Sequence, residues 1–320
     1  MTLNRRDMLF GLTAAGLTLP NSASAATNVI GGHAFGSTWR VVADTRTDPA
    51  LIRSTMQTVI DQTDMEMSPY RTTSDLTRFN TSIALEHSNM PQALCDVTVK
   101  ALSIAALTGG AFDPTVGPIV SRYGFGPIEG AQGTFKDITV SGDVIVKASP
   151  SLTLDLCGIA KGHALDQIIA RLSDVGVTQV LVEVGGEVMT LGHHPDGRAW
   201  QVAITDPIAQ DFRALHLLDL QGFALATSGH AENGVSGAVE TSHIINPYYM
   251  RPAATSLASV SVLAQTALEA DAFATALCAA GPTDGVALAQ KLDIAALFVT
   301  DGIDAPERTM TGTFAQHILS

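Results

Sequence analysis

The apolar positions of this chain change their period several times, and each change predicts an element. Between Ile30 and Ala43 apolar and β-branched residues alternate with small or polar ones, which predicts a strand or hairpin with Gly36 as its bend. From Pro49 the period lengthens. Leu51, Ile52, Met56, Val59 and Ile60 recur at helical spacing through Met65, and Asp48 is placed to cap the first turn. A polar stretch around Met67-Ser68-Pro69-Tyr70 follows, with Ser74 starting a short helical turn. A second long helix is predicted from Pro91 to Leu107, stopped by Gly109-Gly110. The stretch from Ala111 to Gly130 is dense in Gly and Pro and predicts irregular loop. Loops of that length inside compact proteins usually carry function.

Beyond it the pattern alternates more clearly. Short strands are predicted at 138–140, 144–147 and 151–155, a helix at 162–172, and strands at 179–184 and 187–191 around Gly185-Gly186. Strands at 200–204, 215–220, 224–227 and 243–245 come in a row without helices between them. A strand at 259–263, helices at 268–280 and 283–291 and a strand at 295–299 complete the reading. Strands and helices segregated in this way predict an α+β fold of mixed sheets and helices. No repeat or linker divides the chain, so 26–320 is read as one elaborated domain.

Composition narrows the picture. With 46% hydrophobic and 15% charged residues in 320, the chain is globular rather than disordered. A net charge of -13 argues against nucleic acid and anionic lipid as partners, because phosphate neutralisation needs clustered Lys and Arg. Cys95, Cys157 and Cys278 match neither a disulfide framework nor a zinc spacing and read as small buried hydrophobes. The N-terminus orders Arg5-Arg6, a short apolar run from Gly11 to Leu19, and Ala23-Ser24-Ala25. This is the layout of a cleaved export signal over 1–25, and the paired arginines resemble the twin-arginine type. The expectation is a periplasmic protein with no membrane anchor of its own.

Four segments can carry chemistry. In Leu154-Asp155-Leu156-Cys157-Gly158-Ile159-Ala160-Lys161-Gly162 an apolar strand ends in an acid, a glycine turn follows, and a lysine sits where a helix begins. Such a place suits a phosphate or diphosphate, although a plain strand-to-helix turn with an exposed lysine reads equally well. Asp271 and Thr275 lie four apart on a predicted helix and can share a hard cation such as magnesium, or can be ordinary helix surface. Asp113, in Ala111-Phe112-Asp113-Pro114-Thr115, is an acid on a backbone preset by proline. His243, at the start of a short apolar strand, is either a general base or a structural histidine at a strand edge.

Taken together the segments are more specific. Met67-Ser68-Pro69-Tyr70, Ser74-Asp75-Leu76-Thr77-Arg78-Phe79-Asn80, Gly110-Ala111-Phe112-Asp113-Pro114-Thr115, Asp155 through Gly162, Gly185-Gly186-Glu187, Ala226-Thr227-Ser228-Gly229, His243-Ile244-Ile245-Asn246-Pro247 and Ala270-Asp271-Ala272-Phe273-Ala274-Thr275 occur in this order. The series resembles the FAD:protein FMN transferase family, the ApbE-type flavin transferases, over nearly the whole mature chain. With its twin-arginine signal it looks most like the NosX branch, associated with nitrous oxide reductase maturation.

The resemblance implies a single ApbE-like domain with FAD bound in a cleft, and Mg2+-dependent transfer of FMN to a threonine or serine of a target protein with release of AMP. That target, the flavin-acceptor protein, would be a periplasmic or membrane-bound electron-transfer protein such as NosR. By similarity Asp271 and Thr275 are the side-chain metal ligands and Gly158 supplies a carbonyl. Phe35, Tyr70, Ala111, Phe112, Asp113, Asp155, Lys161 and Ile245 fall at FAD-contact positions, and His243 matches the base, with Asp113 as its rival. The chain departs from the family at Phe35, where methionine is usual, and at Asn246-Pro247-Tyr248-Tyr249-Met250, where Asp-Pro-x-Thr-Gly is common. FAD hydrolysis to FMN and AMP, and non-catalytic FAD carriage, are the other two readings.

Overall fold

The computed structural model describes residues 27–209, 213–220, 222–230, 241–301 and 306–319. The segment expected to be an export signal, with Arg5, Arg6 and Ala25, lies outside the described residues. The predicted hairpin is β1 (Thr27–Ala34) and β2 (Ser37–Asp44), closed by Phe35 and Gly36. Both turn residues have positive φ, 52° and 74°, the geometry that matches the twist of the paired strands. A phenylalanine held there costs about 1–2 kcal/mol, so its surroundings must hold it, and Phe35 packs against the main core. In α1 (Pro49–Met67) Asp48 accepts from the Ala50 amide, and in α2 (Asp75–Thr81) the Ser74 hydroxyl accepts from the Thr77 amide.

The chain continues through β3 (Glu86–His87), α3 (Gln92–Leu107), α4 (Gly117–Arg122), β4 (Ile138–Ser141), β5 (Val144–Lys147), α5 (Ala160–Asp174), β6 (Val180–Val184) and β7 (Glu187–Leu191). Then come β8 (Gln201–Thr205), β9 (Ala214–Asp219), β10 (Ala224–Gly229), β11 (Ile245–Asn246), β12 (Arg251–Pro252), β13 (Leu257–Ala264), α6 (Ala267–Ala280), α7 (Asp284–Lys291), β14 (Ala295–Thr300) and β15 (Glu307–Thr311).

Eight of these strands form one sheet in the order β1-β2-β6-β7-β10-β13-β14-β15, and every pairing in it is antiparallel. One face packs on α1, α5 and α6 through residues such as Val41, Val182, Val262, Met56, Leu165 and Leu277. The other is covered by the β8–β9 hairpin, whose Val202, Ile204 and Leu218 meet Leu225, Leu263 and Leu297. Burial on both faces explains why β13 and β14 read as nearly continuous apolar runs. A second core lies between α3, the segment around Leu154 and Leu156, and the outer side of α6. Helix α6 is therefore wedged between two cores, and its many alanines allow both to approach closely.

Four expectations are corrected. The loop after Ala111 contains the helical turn α4, with Pro118 in its first turn, where the missing N–H costs nothing. Residues 151–155 form no strand, and Ser151 lies in a turn. Asn80 brackets Leu154, donating to its carbonyl and accepting from its amide at 2.8 Å each, and Asp155 N–H donates to Pro114 O at 2.7 Å. Side chains stitch this segment where a ladder was expected. His243 sits in a bend before the two-residue β11 rather than on a strand. Cys157 is exposed, whereas Cys95 and Cys278 are buried as expected.

Candidate active site

Polar groups converge at one end of the large sheet. Lys161, the second residue of α5, pairs its ammonium with Glu187 Oε1. Glu187 opens β7 just after the Gly185-Gly186 turn and is 1% exposed. Gly185 has φ 60°, and a Cβ there would stand 3.4 Å from Lys161 Cδ and 3.7 Å from Ser37 Cβ. The β1–β2 turn, the β6–β7 turn and the start of α5 thus meet in one place. Burial pushes the Glu187 carboxyl up and Asp271 adds to the rise, while the Lys161 ammonium bonded to it favours the ionised form. Its Oε2 is buried without a hydrogen-bond partner among the described residues.

Asp271 reaches the same place from α6. It is 2% exposed, and its Oδ2 accepts from Gly162 N–H at 3.0 Å. Burial raises its pKa, while Lys161 and the Gly162 bond act against the rise. One turn later the Thr275 hydroxyl lies 3.5 Å from Ser228 Oγ on β10. A Cβ on Gly158 would stand 3.0 Å from Thr275 Oγ1 and 3.3 Å from Phe112 Cε2, so only glycine fits without displacing them. Gly158 and Thr275 therefore adjoin, with Asp271 one turn before Thr275 on α6, and a carboxylate, a hydroxyl and a backbone carbonyl are the hard donors magnesium takes. No group of three or more His, Cys, Asp or Glu side chains suited to a metal occurs among the described residues, so an ion held here needs further oxygens from its ligand.

His243 is half-buried, with Phe125 edge-on to its ring at 6.1 Å, and its Nδ1 is buried without a partner among the described residues. Burial, and behind it the charges of His230 and Lys161, depress its pKa to about 4, so the ring is neutral. Tyr70, 67% exposed, donates its hydroxyl at 3.1 Å to the carbonyl of Phe125, the residue whose ring also meets His243. Partial desolvation, with Cys157 and Asp155 beside it, raises the phenol pKa. Asp155 caps its own turn, accepting from Cys157 N–H at 2.9 Å, and desolvation raises its carboxyl.

Other site candidates are committed to structure. Asp113 Oδ1 accepts from the amide and hydroxyl of Thr115 at 2.9 and 2.7 Å, and Oδ2 from Phe135 N–H at 3.1 Å. Burial raises its pKa and the Thr115 bonds oppose this. Ala111 and Phe112 belong to the second core, Phe112 turning an edge toward Gly158, and Ile245 is buried at 4% exposure. The unusual loop after His243 is also accounted for. Asn246 accepts from Tyr248 and Tyr249 N–H at 3.0 and 3.2 Å and donates to Ala279 O at 2.8 Å, a donation an aspartate could not make. Met250, at the position where the family commonly has glycine, has φ 51°.

Sequence reasoning gave no role to Glu187 or Ser228. An acid directly after a Gly-Gly turn, opening a strand buried on both faces, was the available signal for the first; the second had none.

Fold and site define an α+β protein with a lysine set between two buried carboxylates at one end of an antiparallel sheet, lined by hydroxyls and a neutral histidine. The ApbE family model matches residues 35–298, and the chain belongs to that family. It is 34% identical to the FAD:protein FMN transferase of Salmonella typhimurium over 281 residues, 81% of this chain and 80% of that protein. With the Escherichia coli K12 protein of the same name it shares 30% over 313 residues, covering 91% and 89%. Among solved structures, the Vibrio cholerae flavin transferase ApbE superposes with TM-score 0.82 at 28% identity, covering 92% of this chain and 99% of that one. The apo Pseudomonas stutzeri flavinyl transferase ApbE gives 0.78 at 31% identity, covering 91% and 96%.

Proposed function

We propose that this chain is an FAD:protein FMN transferase that acts in the periplasm, moving FMN from FAD to a threonine or serine hydroxyl of an acceptor protein and releasing AMP. The observation that carries this reading is the meeting of Lys161, Asp271, Thr275 and Gly158 at one sheet end, within electrostatic reach of the neutral His243.

Lys161 meets the diphosphate of FAD with its ammonium, while the Ala160 and Gly162 N–H groups beside it are taken by Leu156 O and Asp271. Asp271, Thr275 and the Gly158 carbonyl would hold Mg2+, which when bound neutralises charge on the diphosphate and the leaving group. Tyr70 and Phe35 offer aromatic surface to the rings of FAD. A hydroxyl is a poor nucleophile at neutral pH, so His243 takes its proton as its oxygen attacks the FMN-side phosphorus. The new P–O bond forms while the bond to the bridging oxygen breaks, and that oxygen leaves with AMP. Asp113 is a poor rival, since both its oxygens already accept loop hydrogen bonds.

The acceptor is read as a periplasmic or membrane-bound electron-transfer protein of the NosR kind. Incubation of the protein with FAD and Mg2+, with and without that acceptor, tests the reaction. A flavin-sized mass increase on the acceptor, with AMP formed in step, is expected. FMN and AMP formed equally without acceptor would replace the reading with hydrolysis, and FAD bound but unchanged would replace it with carriage. N-terminal sequencing of periplasmic material, expected to begin near Ala26, tests the export reading.

A further inference from the structure

The Glu187 carboxylate is spent in a way the transfer chemistry does not use. It is almost fully buried, gives one oxygen to Lys161 and leaves the other unpartnered among the described residues, with a second buried carboxylate, Asp271, nearby. Two buried carboxylates for one ammonium is a poor arrangement for stability alone, because an uncompensated buried charge is strongly unfavourable. A lysine carries a flexible stem and a point charge, so its position is undefined unless something holds it. Here the stem runs along the Gly185 turn, whose Cβ position is 3.4 Å from Lys161 Cδ, and the acid two residues later takes the ammonium.

We propose that Glu187 is the positioning residue of this site: the start of β7 sets where the Lys161 ammonium stands, and so where the diphosphate is held relative to Asp271 and His243. The inference rests on the reading that Lys161 meets the FAD diphosphate. Removing the acid takes away the contact that holds the ammonium at the start of β7. Its charge stays available to an anionic ligand, but its place shifts. Ground-state binding and turnover therefore separate.

The test is Glu187→Gln, nearly isosteric, in the full chain. FAD affinity is read by flavin fluorescence titration and turnover by AMP release with acceptor present. Expected is a Kd for FAD within about threefold of wild type or tighter, with kcat lower by about tenfold to a hundredfold, the scale of a small misplacement of a reacting group. A double-mutant cycle supplies a readout that a purely structural acid would not move. In a Lys161→Met background Glu187→Gln should change kcat by less than about threefold, because the group it positions is gone. Unchanged kcat in the single variant overturns the proposal. So does FAD binding weakened more than about tenfold with kcat intact, or losses that multiply in the double variant. Should Glu187→Gln not fold, the double variant, which removes both charges together, is compared with Lys161→Met alone and decides on the same threefold limit. Wild-type protein that fails to bind FAD would instead overturn the transferase reading itself.

Discussion

Replacing Gly162 by alanine separates helix propensity from tertiary packing, because the two predict opposite signs. As the third residue of α5, Gly162 is a poor helix former, and propensity alone predicts that Gly162→Ala stabilises by up to about 1 kcal/mol. The structure predicts a loss. The new Cβ would stand 2.2 Å from Ala267 O, 2.6 Å from Ala267 C and 2.7 Å from Leu268 Cα, all backbone of the first turn of α6. Carbon contacts settle near about 3.5–4.0 Å, so α5 and α6 must part by more than about 1 Å. That turn cannot yield cheaply, since Asp166 on α5 accepts from Ala267 and Leu268 N–H at 2.7 and 3.0 Å. Overpacking costs about 1–3 kcal/mol, and losing the Gly162–Asp271 bond adds about 1.5–3 kcal/mol, so the net loss is about 2–5 kcal/mol. Urea unfolding followed by circular dichroism should show a lower midpoint at unchanged slope. FAD and Mg2+ should also bind more weakly, because the displaced helix carries Asp271. A stabilised variant, or one within about 1 kcal/mol of wild type, would refute the close approach of the two helices.

Five further outcomes are expected. His243→Ala should bind FAD almost normally and transfer FMN about a hundredfold to ten-thousandfold more slowly, and an unchanged rate in single-turnover assays removes it as the base. Because its folded pKa lies near 4, below its ordinary 6.5, the native state takes up fewer protons than the unfolded chain in that window. Its contribution is complete above pH 6.5 and is lost as pH falls toward 4, by up to about 3 kcal/mol, a slope that should flatten in His243→Ala unfolding curves. Asp271→Ala should lower Mg2+ affinity at least about tenfold by calorimetry while Thr275→Ala does less, and equal affinities would return both to plain helix surface. Phe35→Asn relieves the positive φ but gives up the packing of the ring on the main core, so stability should stay within about 1 kcal/mol of wild type while FAD binding weakens; tighter FAD binding would count against Phe35 as a ring contact. Lys147→Met should cost at least about 3 kcal/mol in urea, since the buried ammonium serves the carbonyls of Phe79, Ser82 and Leu152 at 3.1, 2.9 and 3.2 Å, and a loss below about 1 kcal/mol would deny it that role.

The amino-acid order by itself determined the elements whose cause is local. The Asp48 and Ser74 caps, the Gly109-Gly110 stop after α3, the Phe35-Gly36 hairpin and the run of strands without helices all rest on side chains acting on their own backbone, or on periodicity that one face of an element imposes. Motif order, too, was enough to mark Lys161, Asp271, Thr275 and His243. What those residues are to one another was decided only by the tertiary structure. Residues 151–155 have the apolar pattern of a strand, yet Asn80 and Pro114 satisfy their backbone from far along the chain. Asp113 stood as a rival to His243 by sequence, but both its oxygens are spent on Thr115 and Phe135. Edge strand β15 has mostly exposed side chains and so leaves no apolar alternation to read. The Gly-Gly turn before Glu187 and the apolar strand after it hint at burial, but nothing local says which group the acid meets there. The distance between a carboxylate and an ammonium 26 residues apart in the chain is a property of sheet and helices closing over the β6–β7 turn, not of either segment.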